Sequence, residues 1–307
     1  MHIVIYGTGG VGGYFGARLA EAGNEVTFIA RGTHLNAIRR NGLKVESPLG
    51  NIIVKPAIVT NKIHEVRDID LILVCTKAWQ IPDIAKELKQ VITKQTVVIS
   101  LLNGVENHEK LLVELPKENV MVGLCKIVSK IEVPGVIKHY SYNPTIEFGE
   151  LSNEKTARAK KIDSVLKAAG INSVLADDIY IHMWMKFLFI STFSALGALT
   201  RATIGEMRTH PIIRGYMGQI ADEIIAVASS KGIQLPVEIK EKQFAIIDQL
   251  EYDTTASLQR DIMEGRPSEL EAQQGTIVRL GKELCIPTPI NEFVYNCLIL
   301  QEERARR

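Results

Sequence analysis

Apolar residues follow two regimes along the chain. Up to about position 176 they come in short, β-branched runs broken by glycine and proline, and beyond it they recur every three or four residues. The first regime predicts strands at His2–Tyr6, Glu25–Ile29 and Leu43–Glu46, and at 51–54, 70–75, 96–100, 120–128, 135–139, 145–148 and 171–175. The runs 70–75 and 96–100 are apolar almost throughout, as strands buried on both faces of a parallel sheet should be. Those between 120 and 148 are expected to be antiparallel, with turns at Pro134-Gly135 and Asn143-Pro144, and Ser47-Pro-Leu-Gly50 reads as a hairpin turn. Helices are expected after the first strand, after Gln80 with Pro82 in the first turn, and over 154–169, closed by Gly170. The second regime predicts helices only: 181–199, 212–231 stopping at Gly232, 237–263 with a break near Tyr252-Asp253, 268–284 and 291–300.

Between the first strand and its helix lies Gly7-Thr8-Gly9-Gly10-Val11-Gly12, a G-x-G-x-x-G spacing. In a strand–turn–helix setting each glycine has a task. Gly7 permits the tight turn, Gly9 lets backbone approach a pyrophosphate, and Gly12 lets the helix pack on the strand. The free N–H groups and the positive end of the helix then face phosphate. The loop from Gly7 through Thr8, Gly9, Gly10, Val11 and Gly12 is therefore assigned to a dinucleotide. The fold class expected is α/β: an N-terminal Rossmann-type dinucleotide-binding domain over 1–176, followed by an all-α C-terminal domain over 177–307.

The second strand ends in Ala30-Arg31-Gly32. NAD-binding folds place a carboxylate here for the adenosine ribose. A neutral residue followed by arginine instead suits a 2′-phosphate, so Arg31 favours NADP over NAD. Lys77 and Asn103 follow the strands predicted at 70–75 and 96–100, at the carboxyl edge where open α/β sheets collect ligands. Each is either a ligand contact (Lys77 on the cofactor side) or, respectively, a surface lysine and a turn residue.

Composition narrows the function. The 307 residues carry a net charge of +1, which argues against a nucleic-acid partner or a membrane surface. No run reaches the length of a membrane span, 187–199 being interrupted by three hydroxyl residues. The N-terminal segment reads as a strand and not as a signal peptide. The four scattered cysteines show neither a disulfide framework nor metal-ligand spacing, so reduced thiols, no metal and a cytoplasmic location are expected. Arg304 to Arg307 read as a frayed, solvated tail.

In the helical half, Lys186 sits in Trp184-Met-Lys-Phe187, within the most apolar helix. It is either a lysine whose stem covers apolar surface or a functional ammonium. Ile190 and Ser194 lie four and eight residues on, along the same face. A second polar patch, from Thr254 to Glu269, places Ser257 and Asp261 on one helical face and Glu269 after the break at Gly265-Arg-Pro267.

The glycine fingerprint, Arg31, Lys77-Ala-Trp-Gln80, Asn103-Gly104, the Trp184-x-Lys186 helix and the stretch from Ser257 to Glu269 occur in one order along nearly the whole chain. In this it resembles the ketopantoate reductases (2-dehydropantoate 2-reductases). The resemblance implies a nicotinamide Rossmann domain facing a helical domain, NADPH as cofactor, and a small 2-oxo acid reduced to a 2-hydroxy acid in pantothenate synthesis. It further implies Lys186 as general acid, Glu269 as its carboxylate partner, Asn103 and Ser257 as substrate contacts, and Lys77 and Asn103 near the cofactor. The helical half is a candidate for homodimer formation. One departure stands out. The family's substrate helix usually carries asparagines where this chain has Ile190 and Ser194. Losing two substrate hydrogen bonds would cost roughly ten- to several-hundred-fold in kcat/KM toward a hydroxylated substrate. A paralogue acting on another branched 2-oxo acid is the first rival, and a non-catalytic NADP-binding sensor the second.

Overall fold

The computed structural model describes residues 1–56 and 58–307, and all their side chains but those of Ser141 and Tyr142. The described residues divide into two compact units, 1–102 with 106–179, and 103–105 with 180–307. The division falls in the first turn of the long apolar helix, a little beyond the expected boundary, and Asn103 to Val105 group with the second unit.

In the first unit the elements run β1 (His2–Tyr6), α1 (Gly10–Glu21), β2 (Glu25–Ile29), α2 (Gly32–Asn41), β3 (Leu43–Glu46), β4 (Ile52–Val54), β5 (Ile58–Thr60), β6 (Leu71–Val74), α3 (Ile81–Leu88), β7 (Val97–Ser100), α4 (Asn107–Leu112), β8 (Val120–Val133), β9 (Val136–Glu150), α5 (Ala157–Ala168) and β10 (Asn172–Leu175). The strands form one mixed sheet in the order β4-β3-β9-β8-β7-β6-β1-β2-β5, with β10 added on β9. Strands β5, β2, β1, β6 and β7 are parallel, and β1 lies at their centre, in register Ile3–Val26 on one side and Ile3–Leu71 on the other. One apolar layer, with Ile3, Ile5, Phe15 and Phe28, packs α1 on the sheet; another, with Val4, Tyr6, Ile72 and Ile84, packs α3 and α4 on the opposite face. Alternation along β1 thus feeds both layers. The 51–54 hairpin is confirmed as β3–β4.

Two expectations are corrected. The region 120–148 holds two long antiparallel strands turning at Gly135 (φ +86°), and chain at Asn143-Pro144 continues as strand. The ladder slips there: Lys126 pairs Thr145 and Val128 pairs Ser141, so four residues of β9 span two of β8. A proline without an N–H is accommodated where the ladder is already broken. The edge strand β5 and helix α2 were not anticipated; β5 has only three residues.

The second unit continues with α6 (Ile179–Thr200), α7 (Ile204–Thr209), α8 (Pro211–Ser230), α9 (Ile239–Gln249), α10 (Ser257–Met263), a π-helical turn (Glu271–Gly275), α11 (Thr276–Glu283) and α12 (Pro289–Ala305). By length and composition α6 is apolar enough to cross a membrane, but 61% of that window is buried within the protein, the condition of a core helix. Residues 250–256 separate α9 from α10 as a real break, and Gly232 (φ +81°) ends α8 as expected.

Candidate functional site

The glycine loop is built by steric demand. Gly7 has φ +100°, and its N–H and that of Thr8 both donate to Ile29 O (3.2 and 3.0 Å), as does the Thr8 hydroxyl at 2.9 Å. The turn is thereby tied to the end of β2. A Cβ at Gly12 would lie 2.2 Å from Gly7 O, and one at Gly10 2.5 Å from Ser129 O. Gly9 differs: a Cβ there would meet nothing within 4 Å, and its φ of −84° suits any residue. Nothing in the fold demands glycine at this position. A pyrophosphate approaching the backbone there would. Helix α1 begins at Gly10 without a side-chain cap and without an acidic residue in its first turn, so its leading N–H groups are left for an anion. Val11 faces partly into the core.

Around this loop the structure adds groups that motif reading missed. Among the described residues, the hydroxyls of Thr76 and Ser100, at the carboxyl ends of β6 and β7, are buried without hydrogen-bond partners. A buried hydroxyl left so is costly, and a polar ligand over the strand ends would relieve it. The orphaned hydroxyls and the open position at Gly9 both fit a dinucleotide. Arg31 is exposed at the N-terminus of α2. The neighbouring Tyr6 hydroxyl donates to Glu87, and burial together with that carboxylate raises the tyrosine pKa, against the charge of Arg31. Arg31 therefore lies near the Tyr6 hydroxyl at the end of β2. Lys77 precedes the turn Ala78–Gln80; its N–H donates to Gln80 Oε1 at 3.2 Å and its ammonium lies 5.9 Å from the Trp79 ring centre.

In the second unit, Lys186 and Ile190 are half-buried on α6. Ser194 is fully buried and donates to Gln273 Oε1 at 2.6 Å. The Ser194 hydroxyl is thus bonded inside the unit, where the π-helical turn delivers Gln273 against it. Gln274 of the same turn donates to Ser191 O at 2.7 Å. π-helical turns recur at functional sites, and this one begins two residues after Glu269.

Glu269 is 5% exposed and its Oε2 accepts from Asn103 Nδ2 at 2.9 Å. Two residues expected in the site are therefore brought together, though 166 residues apart. Ser257 is half-buried at the first turn of α10, and Asp261, one turn on, pairs with Arg266 at 3.0 Å. None of the four cysteines is in a disulfide; Cys75 and Cys125 are buried and the other two exposed.

Comparison with known proteins gives the family. Residues 3–153 match the family described as ketopantoate reductase PanE/ApbA, and residues 178–302 match its C-terminal counterpart. The "uncharacterized oxidoreductase YkpB" of Bacillus subtilis (strain 168) is 28% identical over 302 residues, covering 98% of this chain and 99% of its own. A PanE/ApbA family ketopantoate reductase from Ralstonia eutropha JMP134 superposes with a TM-score of 0.92 at 28% identity over 100% of both chains. A D-mandelate dehydrogenase in ternary complex with NADH and anilino(oxo)acetate superposes with a TM-score of 0.90 at 27% identity, again over 100% of both. With both halves of the chain matched in order and the glycine loop and Glu269–Asn103 pair in place, the protein belongs to the ketopantoate reductase family of oxidoreductases.

Proposed function

We propose that the protein reduces a branched 2-oxo acid to the 2-hydroxy acid with NADPH, 2-dehydropantoate to pantoate being the first assignment. The observation that carries the reading is Gly9, a glycine that the fold does not require, at the head of an uncapped helix. A reduced nicotinamide supplies hydride to the C2 carbonyl carbon when bound. Lys186 donates the proton to the developing alkoxide, and its charge stabilises that oxygen before transfer is complete. Asn103, oriented by Glu269, and Ser257 hold the substrate. Arg31 supports NADPH over NADH through the 2′-phosphate.

A second reading keeps the chemistry and changes the substrate. Ile190 offers no hydrogen bond and Ser194 is buried against Gln273, which favours a less hydroxylated 2-oxo acid. A D-mandelate dehydrogenase of the same fold, in ternary complex with NADH and anilino(oxo)acetate, belongs with this alternative.

Oxidation of NADPH, and separately of NADH, by the purified protein with 2-dehydropantoate or 2-oxoisovalerate tests both. A clear preference for 2-dehydropantoate supports the first assignment. Equal or faster turnover of the unhydroxylated analogue supports the second. Dinucleotide binding with no turnover of any 2-oxo acid would remove the catalytic reading and leave a sensor.

A further inference from the structure

The sequence makes Arg304 to Arg307 a frayed tail, yet α12 runs on to Ala305 and its last turn is bonded to the segment that carries Glu269. Glu302 is 4% exposed. Its carboxylate accepts the Ser268 N–H at both oxygens (2.9 and 3.2 Å) and the Ser268 hydroxyl at 2.5 Å. Arg306 forms an ion pair with Glu302 at 2.6 Å and donates to Ser268 O at 3.2 Å. Both backbone polar groups of Ser268 are thus held by one turn of α12. The Ser268 hydroxyl in turn accepts the Leu270 N–H at 3.2 Å, so the residues on either side of Glu269 are fixed. The helix has an anchor of its own: Glu223 of α8 accepts the N–H groups of Ile290 and Asn291, both at 2.9 Å.

We propose that Glu302, supported by Arg306, is a positioning residue that sets the place of Glu269 and, through it, of Asn103. The proposal rests on Glu269 belonging to the reductase site described above. Apolar packing could stabilise this end of the unit as well as a buried carboxylate does, often better. What it cannot supply is a directional hold on the N–H and the carbonyl of one chosen residue. That hold is placed immediately before the buried Glu269. Polar contacts therefore run from Arg306 through Glu302 to Ser268, the backbone carries the hold one residue on to Glu269, and a hydrogen bond joins Glu269 to Asn103.

A double-mutant cycle on the full-length protein tests the assignment. Glu302→Ala, Glu269→Gln and the double variant are compared for kcat with NADPH and whichever 2-oxo acid the parent reduces, beside NADPH affinity and thermal unfolding. Displacement of a positioned group costs on the order of 10- to 100-fold in turnover. We expect a loss in that range for Glu302→Ala with NADPH affinity unchanged, and a double variant no worse than Glu269→Gln alone. Arg306→Lys should restore most of what Arg306→Ala loses. Losses that multiply, or a Glu302→Ala enzyme with normal kcat, would overturn the positioning role. Near-normal turnover of Glu269→Gln alone refutes the site reading, and the positioning role with it, before Glu302 is touched. Should Glu302→Ala not fold, Glu302→Gln, which retains an acceptor, takes its place in the cycle with the same expected pattern.

Discussion

Asn103 Nδ2 donates to Glu269 Oε2 at 2.9 Å, joining the loop after β7 to the entrance of the π-helical turn. Glu269 is 95% removed from solvent, and this donor holds one of its two oxygens. Asn103 and Glu269 both belong to the second unit. Asn103 and Glu269, 166 residues apart in sequence, are thus joined by a direct side-chain hydrogen bond.

Lys186→Ala should lower kcat with the preferred 2-oxo acid by about 10²- to 10⁴-fold, the usual range for a general acid. NADPH affinity, measured by fluorescence titration, should remain near that of the parent. Turnover close to normal would remove Lys186 from the role.

The glycines of the loop should separate by readout. Gly12→Ala places a Cβ 2.2 Å from Gly7 O, and overpacking of this kind typically costs about 1–3 kcal/mol or more, visible as a lowered Tm. Gly9→Ala meets no neighbour, so its Tm should hold while NADPH affinity falls. Unchanged affinity in Gly9→Ala would mean that no ligand approaches there.

Residues 190 and 194 should also behave differently. Ile190→Asn restores a side chain able to bond substrate and should raise the ratio of kcat/KM for 2-dehydropantoate over 2-oxoisovalerate by roughly 2- to 12-fold, the worth of one hydrogen bond. Ser194→Ala strips the donor from the fully buried Gln273 Oε1 and should cost about 1–3 kcal/mol of stability, read by denaturant unfolding. A gain in substrate selectivity from Ser194→Ala with no stability loss would show that the serine faces substrate after all.

His34 gives the fold a pH dependence. Its Nδ1 accepts the Gly135 N–H at 3.0 Å, and burial lowers its pKa below the ordinary 6.5, a contact with the Thr8 backbone opposing more weakly. The unfolded chain then binds a proton that the folded one refuses, so stability is full above pH 6.5 and falls as pH drops below it, levelling off beneath the lowered pKa. His34→Gln should flatten this part of the profile. Thermal unfolding followed from pH 8 to pH 5 checks it, and a parent slope identical to that of the variant would clear His34 of the effect.

Much of the fold was legible because it is local. The end points of β1 and β2, the positive φ at Gly7 and the caps at Gly170 and Gly232 follow from side-chain branching and from what a missing Cβ allows. The same holds for the change from runs to helical spacing, which separates the two halves. The strand break expected at Asn143-Pro144 failed because a proline signals a lost N–H, not whether the neighbouring strand has already slipped past it.

The candidate site residues come from the sequence as a set without a geometry. By itself the sequence determined the dinucleotide loop and the family, since both rest on residue types at fixed short spacings. Only the tertiary structure decided that Ser194 turns to Gln273, that Glu269 is taken by Asn103, and that Glu302 reaches back to Ser268. Each of these is a hydrogen bond between groups 34 or more residues apart, and nothing in local periodicity encodes which distant partner satisfies a buried polar atom. That choice is made by packing, once burial has removed water as the alternative.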